Sequence, residues 1–196
     1  MLLKSVTIRN YRQHGDLTVP FDSARTLIAG VNESGKSTLV EALHRALLCK
    51  AKGNTEYHRA MKSTLHHGDP EVQLHFDSAG KSFILKKRFG SNGRVSLKPD
   101  GSVLLTGEKA ETELAKILNN ETAISGKKLL TQWAHLWVWQ GTSGHDPSIH
   151  ITSQKDALIP RLQKLGASVV LQSDLDARVA GCFEQKVKEL FTQKGK

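Results

Sequence analysis

The sequence predicts an α/β fold in which a mixed β-sheet carries an antiparallel meander of strands, and three observations lead to this prediction. Apolar and polar residues alternate with period two in residues 2–21 and again in residues 71–98, as in half-buried strands. An apolar run that ends in glycine, residues 26–30, predicts a buried strand. Directly after it, Leu39, Leu43 and Leu47 recur at four-residue spacing and predict an amphipathic helix.

The individual elements follow from the same periodicities and from the turn residues between them. We expect the turn between the first two strands around residues 14–16, and a hairpin turn at Asn92-Gly93 within the meander. In chain order, the predicted strands cover residues 2–21 (two strands), 26–30, 71–76, 83–89, 94–98 and 135–141, and the predicted helices cover residues 38–50, 108–119, 156–165 and 172–191. The apolar stripe in the last helix fits the root of a coiled coil, and it fits an ordinary packed helix equally well, because the stretch is too short to show sustained heptads. We therefore expect an N-terminal lobe over residues 1–150 and a helical segment over residues 151–196.

Composition excludes several classes of protein. The chain has 196 residues and a formal net charge of +9, which permits an acidic partner such as nucleic acid. With Cys49 and Cys182 as its two cysteines, it has neither a disulfide scaffold nor a cysteine-based zinc module. No apolar run approaches the ~20 residues of a bilayer span, so we expect no membrane partner. The expected location is the cytoplasm, with nucleoid association if the source is bacterial.

The strongest motif is GVNESGKS, residues 30–37, which matches the pattern GxxxxGK[ST]. It follows a predicted strand and opens a predicted helix, as a phosphate-binding loop requires. Gly30 and Gly35 let the main chain turn and approach a phosphate without a Cβ clash. Lys36 is expected to reach the β- and γ-phosphate oxygens, and the Ser37 hydroxyl to coordinate Mg²⁺. The loop thus predicts binding of ATP and Mg²⁺.

Three segments carry a resemblance to a known family. KSVTIRNYRQHGDLTVPF at residues 4–21, LIAGVNESGKSTLVEAL at residues 27–43 and VWQG at residues 138–141 resemble the N-terminal half of an SMC-like ABC ATPase head. The likeness is to the SbcC type of DNA double-strand-break repair, with RecF and RecN as more distant relatives, and it covers roughly residues 1–141. It implies a P-loop NTPase fold of the ABC and SMC-head type.

The resemblance also implies roles for single residues. Arg12 matches an arginine that reaches toward nucleotide phosphates, and Asn32 matches a loop residue that faces the nucleotide. Gln140 matches the Q-loop glutamine that contacts Mg²⁺ and the attacking water, so Lys36 and Gln140 are the expected catalytic residues and Ser37 and Gln140 the expected magnesium ligands. The expected nucleotide-binding residues are Arg12, Gly30, Asn32, Glu33, Ser34, Gly35, Lys36, Ser37 and Thr38.

The chain departs from the family pattern in two respects. It lacks an LSGG-type signature, to which residues 124–128 (ISGKK) have only a passing likeness, and it lacks an acidic Walker B strand end. In the family both motifs lie in the C-terminal half, beyond a long coiled coil. We therefore expect an ATPase whose site is composite, completed by the C-terminal half of the same head and by a second head in an ATP-dependent dimer. This chain alone is expected to hydrolyse ATP weakly or not at all.

The expected function is that of the ATP-binding half of such a head in DNA repair or DNA-end processing, with DNA as a partner and a nuclease subunit as another. Basic residues at Lys86, Arg88, Arg94 and Lys98 fall on adjacent predicted strands, and those that share a face can track phosphates. In an alternating strand Lys87 points the other way. Two alternatives stay open: a defence-type ATPase that regulates an attached nuclease or toxin, and a self-contained P-loop kinase.

Overall fold

The computed structural model describes residues 1–22 and 25–118, together with Trp137 and Cys182. The chain divides into two compact units, Met1–Pro147 and Ser148–Lys196, and the fold described below belongs to the first. Its described elements are β1 (Leu2–Tyr11), β2 (His14–Pro20), α1 (Lys36–Leu48), α2 (Glu56–Ala60), β3 (Glu71–Ser78), β4 (Lys81–Arg88), β5 (Arg94–Pro99), β6 (Leu105–Thr106) and α3 (Gly107–Ile117).

The described strands form a six-stranded sheet with the order β2-β1-β3-β4-β5-β6. Each pair of neighbouring strands is antiparallel, so β3 to β6 form the predicted meander. An isolated parallel bridge also joins Lys52 to Gly90. The loop between β4 and β5 covers residues 89–93, which is longer than the two-residue turn expected at Asn92-Gly93.

One face of this sheet forms the core. The alternating residues Val72, Leu74 and Phe76 of β3 are all buried, as their period predicts. Helix α1 packs over β1 and β3, and α3 packs against β5 and β6. The predicted apolar stripe of α1 is buried, and so is the rest of its C-terminal half from Ala42 to Leu48. A helix anchored in this way fixes the position of the loop that precedes it.

The prediction of a buried strand at residues 26–30 is wrong. This segment belongs to none of the described strands, and the Leu27 side chain is 92% exposed. Ile28 is partly buried and packs against the core. An apolar run becomes a strand only where a neighbouring strand satisfies its main-chain N–H and C=O groups, and no described strand pairs with this segment.

The predicted position of the first turn is also wrong. Val6 lies opposite Val19 and Ile8 opposite Leu17, and this register places Tyr11 opposite His14. The turn is therefore Arg12-Gln13 rather than residues 14–16. The pairing of apolar residues across the two strands outweighs the preference of Gly15 for a turn.

The predicted strand at residues 135–141 and the predicted helices at residues 156–165 and 172–191 lie outside the described residues, apart from Trp137 and Cys182. None of the helices described has the length and apolar character that a membrane span requires.

Candidate nucleotide-binding site

The predicted phosphate loop lies at the N-terminus of α1, which begins at Lys36. Gly35 is the residue before the helix and has a left-handed backbone with φ 88°, a conformation that favours glycine. The first helical hydrogen bond joins the Leu39 amide to the Gly35 carbonyl at 2.9 Å. The amide groups of the preceding turn have no acceptor within the helix, so this end of α1 favours an anion.

Lys36 lies across the concave side of the loop. Its ammonium group donates to the carbonyl oxygens of Gly30 at 2.9 Å and Val31 at 2.6 Å, and lies 3.4 Å from Ser34 Oγ. A Cβ added to Gly30 would lie 2.9 Å from Ser34 Oγ, so the loop is closely curled there. In this structure the Lys36 ammonium is therefore held by carbonyl oxygens of its own loop, and it has to leave them to contact a phosphate.

The other predicted loop residues divide into exposed and anchored ones. Asn32, Glu33, Ser34 and Ser37 are exposed, so they are accessible to a ligand. Thr38 is buried, and its hydroxyl donates to Gln13 Oε1 at 3.3 Å. The Thr38 side chain is thus turned toward the β1–β2 turn.

The residues present fit the phosphates of a nucleotide and a magnesium ion. The first turn of α1 carries no acidic residue, so nothing in it repels an anion. The Lys36 ammonium can contact two phosphate oxygens, and the Ser37 hydroxyl is the type of oxygen ligand that Mg²⁺ takes beside phosphates. Gln140, the other predicted magnesium ligand, lies outside the described residues.

Arg12 engages protein groups. Its Nη2 lies 3.0 Å from Glu41 Oε2, and its Nε donates to the Ala60 carbonyl at 3.2 Å. Its backbone has φ 49°, and its amide donates to the Met61 carbonyl at 3.1 Å. A non-glycine residue held in the left-handed region by several bonds is a feature of functional turns. To contact a phosphate, the Arg12 guanidinium has to divide its donors between Glu41 and the phosphate, or give up its ion pair with Glu41.

Glu41 is the centre of a polar cluster on α1. It accepts a hydrogen bond from the Tyr11 hydroxyl at 3.3 Å, and Arg45 Nε lies 3.9 Å from the same carboxylate oxygen. Burial raises the pKa of Tyr11 well above its usual value of 10, and Glu41 raises it further. The Tyr11 hydroxyl is therefore a donor at physiological pH.

The cluster extends to Trp137. Arg45 Nη1 lies 3.1 Å from His44 Nδ1, and the His44 ring meets the Trp137 ring edge-on with centroids 4.9 Å apart. Burial lowers the pKa of His44 to about 3, with a smaller effect from Arg45, so the imidazole is neutral at physiological pH. The phosphate-loop helix is thus in contact with Trp137.

Two contacts of the loop were not expected from the sequence. Gln13 Nε2 donates to the Glu33 carbonyl at 3.0 Å, and His14 Nε2 lies 3.2 Å from the Gly35 carbonyl. Both residues follow Arg12 at the β1–β2 turn. Pairing Val6 with Val19 and Ile8 with Leu17 places the turn at Arg12-Gln13, so the register of the two strands is the signal that locates these residues.

Although the described residues form no strand directly before the loop, the sequence motif, the helix it opens and the lysine across it are those of a P-loop nucleotide-binding protein. The family model described as "AAA domain" matches residues 5–178, and the chain belongs to this family. This match and the similarity to Rad50 ATPases confirm the resemblance to SMC-like heads of the SbcC type. The described sheet, with its antiparallel meander and the helices packed on it, agrees with the predicted α/β fold class.

Among similar proteins is the DNA double-strand break repair Rad50 ATPase of Archaeoglobus fulgidus, 33% identical over 112 residues, or 56% of this chain and 11% of that protein. The Rad50 ATPase of Thermoplasma volcanium is 27% identical over 114 residues, covering 55% of this chain and 12% of that protein. The chain therefore spans about a tenth of the length of these relatives. A structure from work on the ATP-driven dimerization and DNA-stimulated activation of SMC ATPases is 16% identical, with a TM-score of 0.46 over 68% of this chain and 91% of that one.

Proposed function

We propose that this chain is the ATP-binding N-terminal half of an SMC-like ATPase head that acts in DNA repair or DNA-end processing. The observation that carries the proposal is the loop at residues 30–37, curled around the Lys36 ammonium at the start of a buried helix. The Rad50 ATPases to which the chain is similar support the role in repair.

In this proposal each site residue has a distinct task. Lys36 leaves the Gly30 and Val31 carbonyls for the β- and γ-phosphate oxygens, as a charge-assisted contact. Ser37 and Gln140 hold Mg²⁺, which neutralises charge on the phosphates when bound. Arg12 contributes a second positive charge, and its planar guanidinium can share donors between Glu41 and a phosphate. Asn32, Glu33 and Ser34 border the nucleotide with exposed side chains, and Thr38 meets it through its main chain, because its side chain is turned toward the β1–β2 turn.

Hydrolysis is proposed to need a composite site. The turn of α1 that would meet the nucleotide contains no carboxylate that could serve as a general base or a second metal ligand. The signature and Walker B residues are proposed to come from the C-terminal half, and a second head is proposed to close over the nucleotide. Leu27 and Val31, both largely exposed at or beside the loop, form an apolar surface that such a neighbour would cover.

The test is equilibrium binding of ATP and GTP in the presence of Mg²⁺. We expect a preference for ATP and a loss of affinity in Lys36→Ala of about 10- to 150-fold, the equivalent of about 1.5–3 kcal/mol for a charge-assisted contact. The matched control is Lys50→Ala, an exposed lysine just beyond the other end of α1, and it should bind as the unaltered chain does. Equal affinity of Lys36→Ala and the unaltered chain would refute nucleotide binding by this loop.

A second measurement addresses the composite site. ATP turnover should be weak or undetectable for this chain alone, and it should rise when the C-terminal half is added. Robust turnover by the 196-residue chain without a partner would contradict the composite site while leaving nucleotide binding intact.

DNA binding is proposed for the face of the sheet opposite the core. Lys87 is buried on the core face, while Lys86 and Arg88 lie on the outer face, as the alternation predicts. On β5, Arg94 lies opposite Arg88, and Lys98 is exposed four pairs further along the strand, opposite Ile84. Part of this charge is balanced, because Lys86 pairs with Glu71 at 3.1 Å. The exposed Arg94 and Lys98 are therefore the stronger candidates for phosphate contacts.

A further inference from the structure

The outer side of the phosphate loop is supported by the turn between β1 and β2. Gln13 contacts the loop at two points: its amide nitrogen donates to the Glu33 carbonyl at 3.0 Å, and its amide oxygen accepts from the Thr38 hydroxyl at 3.3 Å. Glu33 lies within the loop and Thr38 in the first turn of α1. One side chain therefore bridges the loop and the helix that it opens.

His14 supports the same loop at a third point. Its Nε2 lies 3.2 Å from the Gly35 carbonyl, which also accepts the Leu39 amide of the helix. Since a carbonyl oxygen only accepts, His14 carries its proton on Nε2 in this contact. A Cβ added to Gly35 would collide with the His14 ring and would lie 2.7 Å from Gln13 Nε2. Glycine at this position is thus required by the turn as well as by its backbone angle.

The turn is itself held firmly, so it can position the loop. The Arg12 amide is bound to the Met61 carbonyl, its Nε to the Ala60 carbonyl and its Nη2 to Glu41. These three bonds connect the turn to the α2 region and to α1. In contrast, the loop residues from Val31 to Ser34 are exposed.

We infer that Gln13 and His14 are positioning residues, which hold the main chain of the phosphate loop in the shape that binds a triphosphate. They act on the Glu33 and Gly35 carbonyls and on Thr38, and they do not themselves need to contact the nucleotide. The inference rests on the proposed function, because it assigns a task toward the ligand of that loop. Loss of either side chain lets the loop populate other conformations, and the apparent affinity falls with the populated fraction of the competent one.

The test combines a substitution of Gln13 that keeps size and charge with a truncation of His14 and its rescue. Gln13→Met keeps the length of the side chain, stays neutral and removes both hydrogen bonds; we expect ATP to bind about fivefold to tenfold more weakly. Its matched control is Gln73→Met on β3, which should bind ATP as the unaltered chain does. His14→Ala should weaken binding by about fivefold, and His14→Gln, which restores a donor at a similar reach, should recover most of the loss.

Each variant is also unfolded in urea without nucleotide, which separates positioning from a general loss of structure. The inference predicts weaker ATP binding under conditions in which each variant remains fully folded by its urea curve, together with rescue by His14→Gln. Unaltered ATP affinity in Gln13→Met and His14→Ala overturns it, and so does a loss of affinity that merely follows a loss of stability. If instead Lys36→Ala binds ATP as well as the unaltered chain, the proposed function fails, and that outcome is distinct from the other two.

Discussion

The buried ion pair between Lys87 and Glu111 connects three elements behind the phosphate-loop helix, and its removal should be costly. The Lys87 side chain is 1% exposed, and its ammonium donates to Glu111 Oε2 at 2.8 Å and to the Cys49 carbonyl at 2.7 Å. Glu111 Oε1 in turn accepts the Ala51 amide at 3.0 Å. Cys49 is the residue after the last turn of α1, so the pair fixes the far end of that helix to β4 and α3.

The size of the effect follows from burial. Burial lowers the pKa of Lys87, although Glu111 opposes that shift. Lys87→Met retains the aliphatic stem but leaves the Glu111 carboxylate and the Cys49 carbonyl without their donor, which should cost about 3–5 kcal/mol of unfolding free energy. Glu111→Gln keeps an acceptor for the Ala51 amide but leaves the buried Lys87 ammonium without its counter-charge, so it should also be destabilising. The double variant Lys87→Met/Glu111→Gln should be more stable than Lys87→Met, because no unpaired charge remains buried.

The assay is urea unfolding followed by circular dichroism, arranged as a double-mutant cycle with a coupling energy of about 1.5 kcal/mol or more. The control is Lys116→Met, which breaks the exposed Lys116–Glu113 pair on α3 and should cost less than about 0.5 kcal/mol. The reasoning fails if Lys87→Met is as mild as Lys116→Met, or if the two substitutions in the buried pair are additive.

Two further predictions use other groups. Because burial lowers the pKa of His44 to about 3, the unfolded chain binds a proton at pH values where the folded chain does not, so stability is lost as pH falls from about 6.5 toward 3. Unfolding free energy should drop by about 1.4 kcal/mol between pH 7.5 and 5.5, and a His44→Leu variant with the same pH dependence would contradict this. On the outer sheet face, Arg94→Ala with Lys98→Ala should weaken duplex DNA binding and reduce its salt slope by about 1 per lost phosphate contact. An unchanged slope would remove these two residues from the interface.

The sequence predicts those parts of the fold in which the local pattern of apolar residues matches the surface that the element packs against. Val72, Leu74 and Phe76 alternate because one side of β3 meets the core, and that side is continuous along the strand. Residues 30–37 define the loop because glycine, lysine and serine are each required by the main chain or by the phosphate chemistry. The buried Lys87 was expected to point away from Lys86 and Arg88, since alternation fixes the face of a strand residue whatever its charge.

The contacts of the site depend on register and on packing between distant segments. Gln13 and His14 reach the loop because the β1–β2 register places the turn at Arg12-Gln13, and no local signal marks that turn. Glu41 joins Arg12 because α1 crosses β1, a relation that the spacing of leucines in α1 does not contain. The side chains at this turn can therefore be predicted only from the pairing of two strands, whereas the phosphate loop can be predicted from a single sequence segment.

The segment at residues 26–30 permits a sharp test of the proposed missing half. Leu27 is 92% exposed, whereas Ile28 beside it packs against the core. Leu27→Ser should therefore change the unfolding free energy of this chain by less than about 0.5 kcal/mol, and Ile28→Ser should cost more than about 1 kcal/mol. Once the C-terminal half is added, Leu27 should be covered, so Leu27→Ser should weaken that association by about tenfold or more.

The unfolding free energies and the association measurement together show whether residues 26–30 become covered on assembly or remain a surface loop. If Leu27→Ser destabilises the isolated chain as much as Ile28→Ser, the segment is already buried in the chain by itself, and it needs no partner strand. If Leu27→Ser affects neither stability nor association, the exposed leucine is a feature of a surface loop, and the C-terminal half must meet the head elsewhere. We expect Leu27→Ser to leave the stability of the isolated chain unchanged and to weaken its association with the C-terminal half. The reason is that an apolar side chain contributes free energy only when its surface is removed from water.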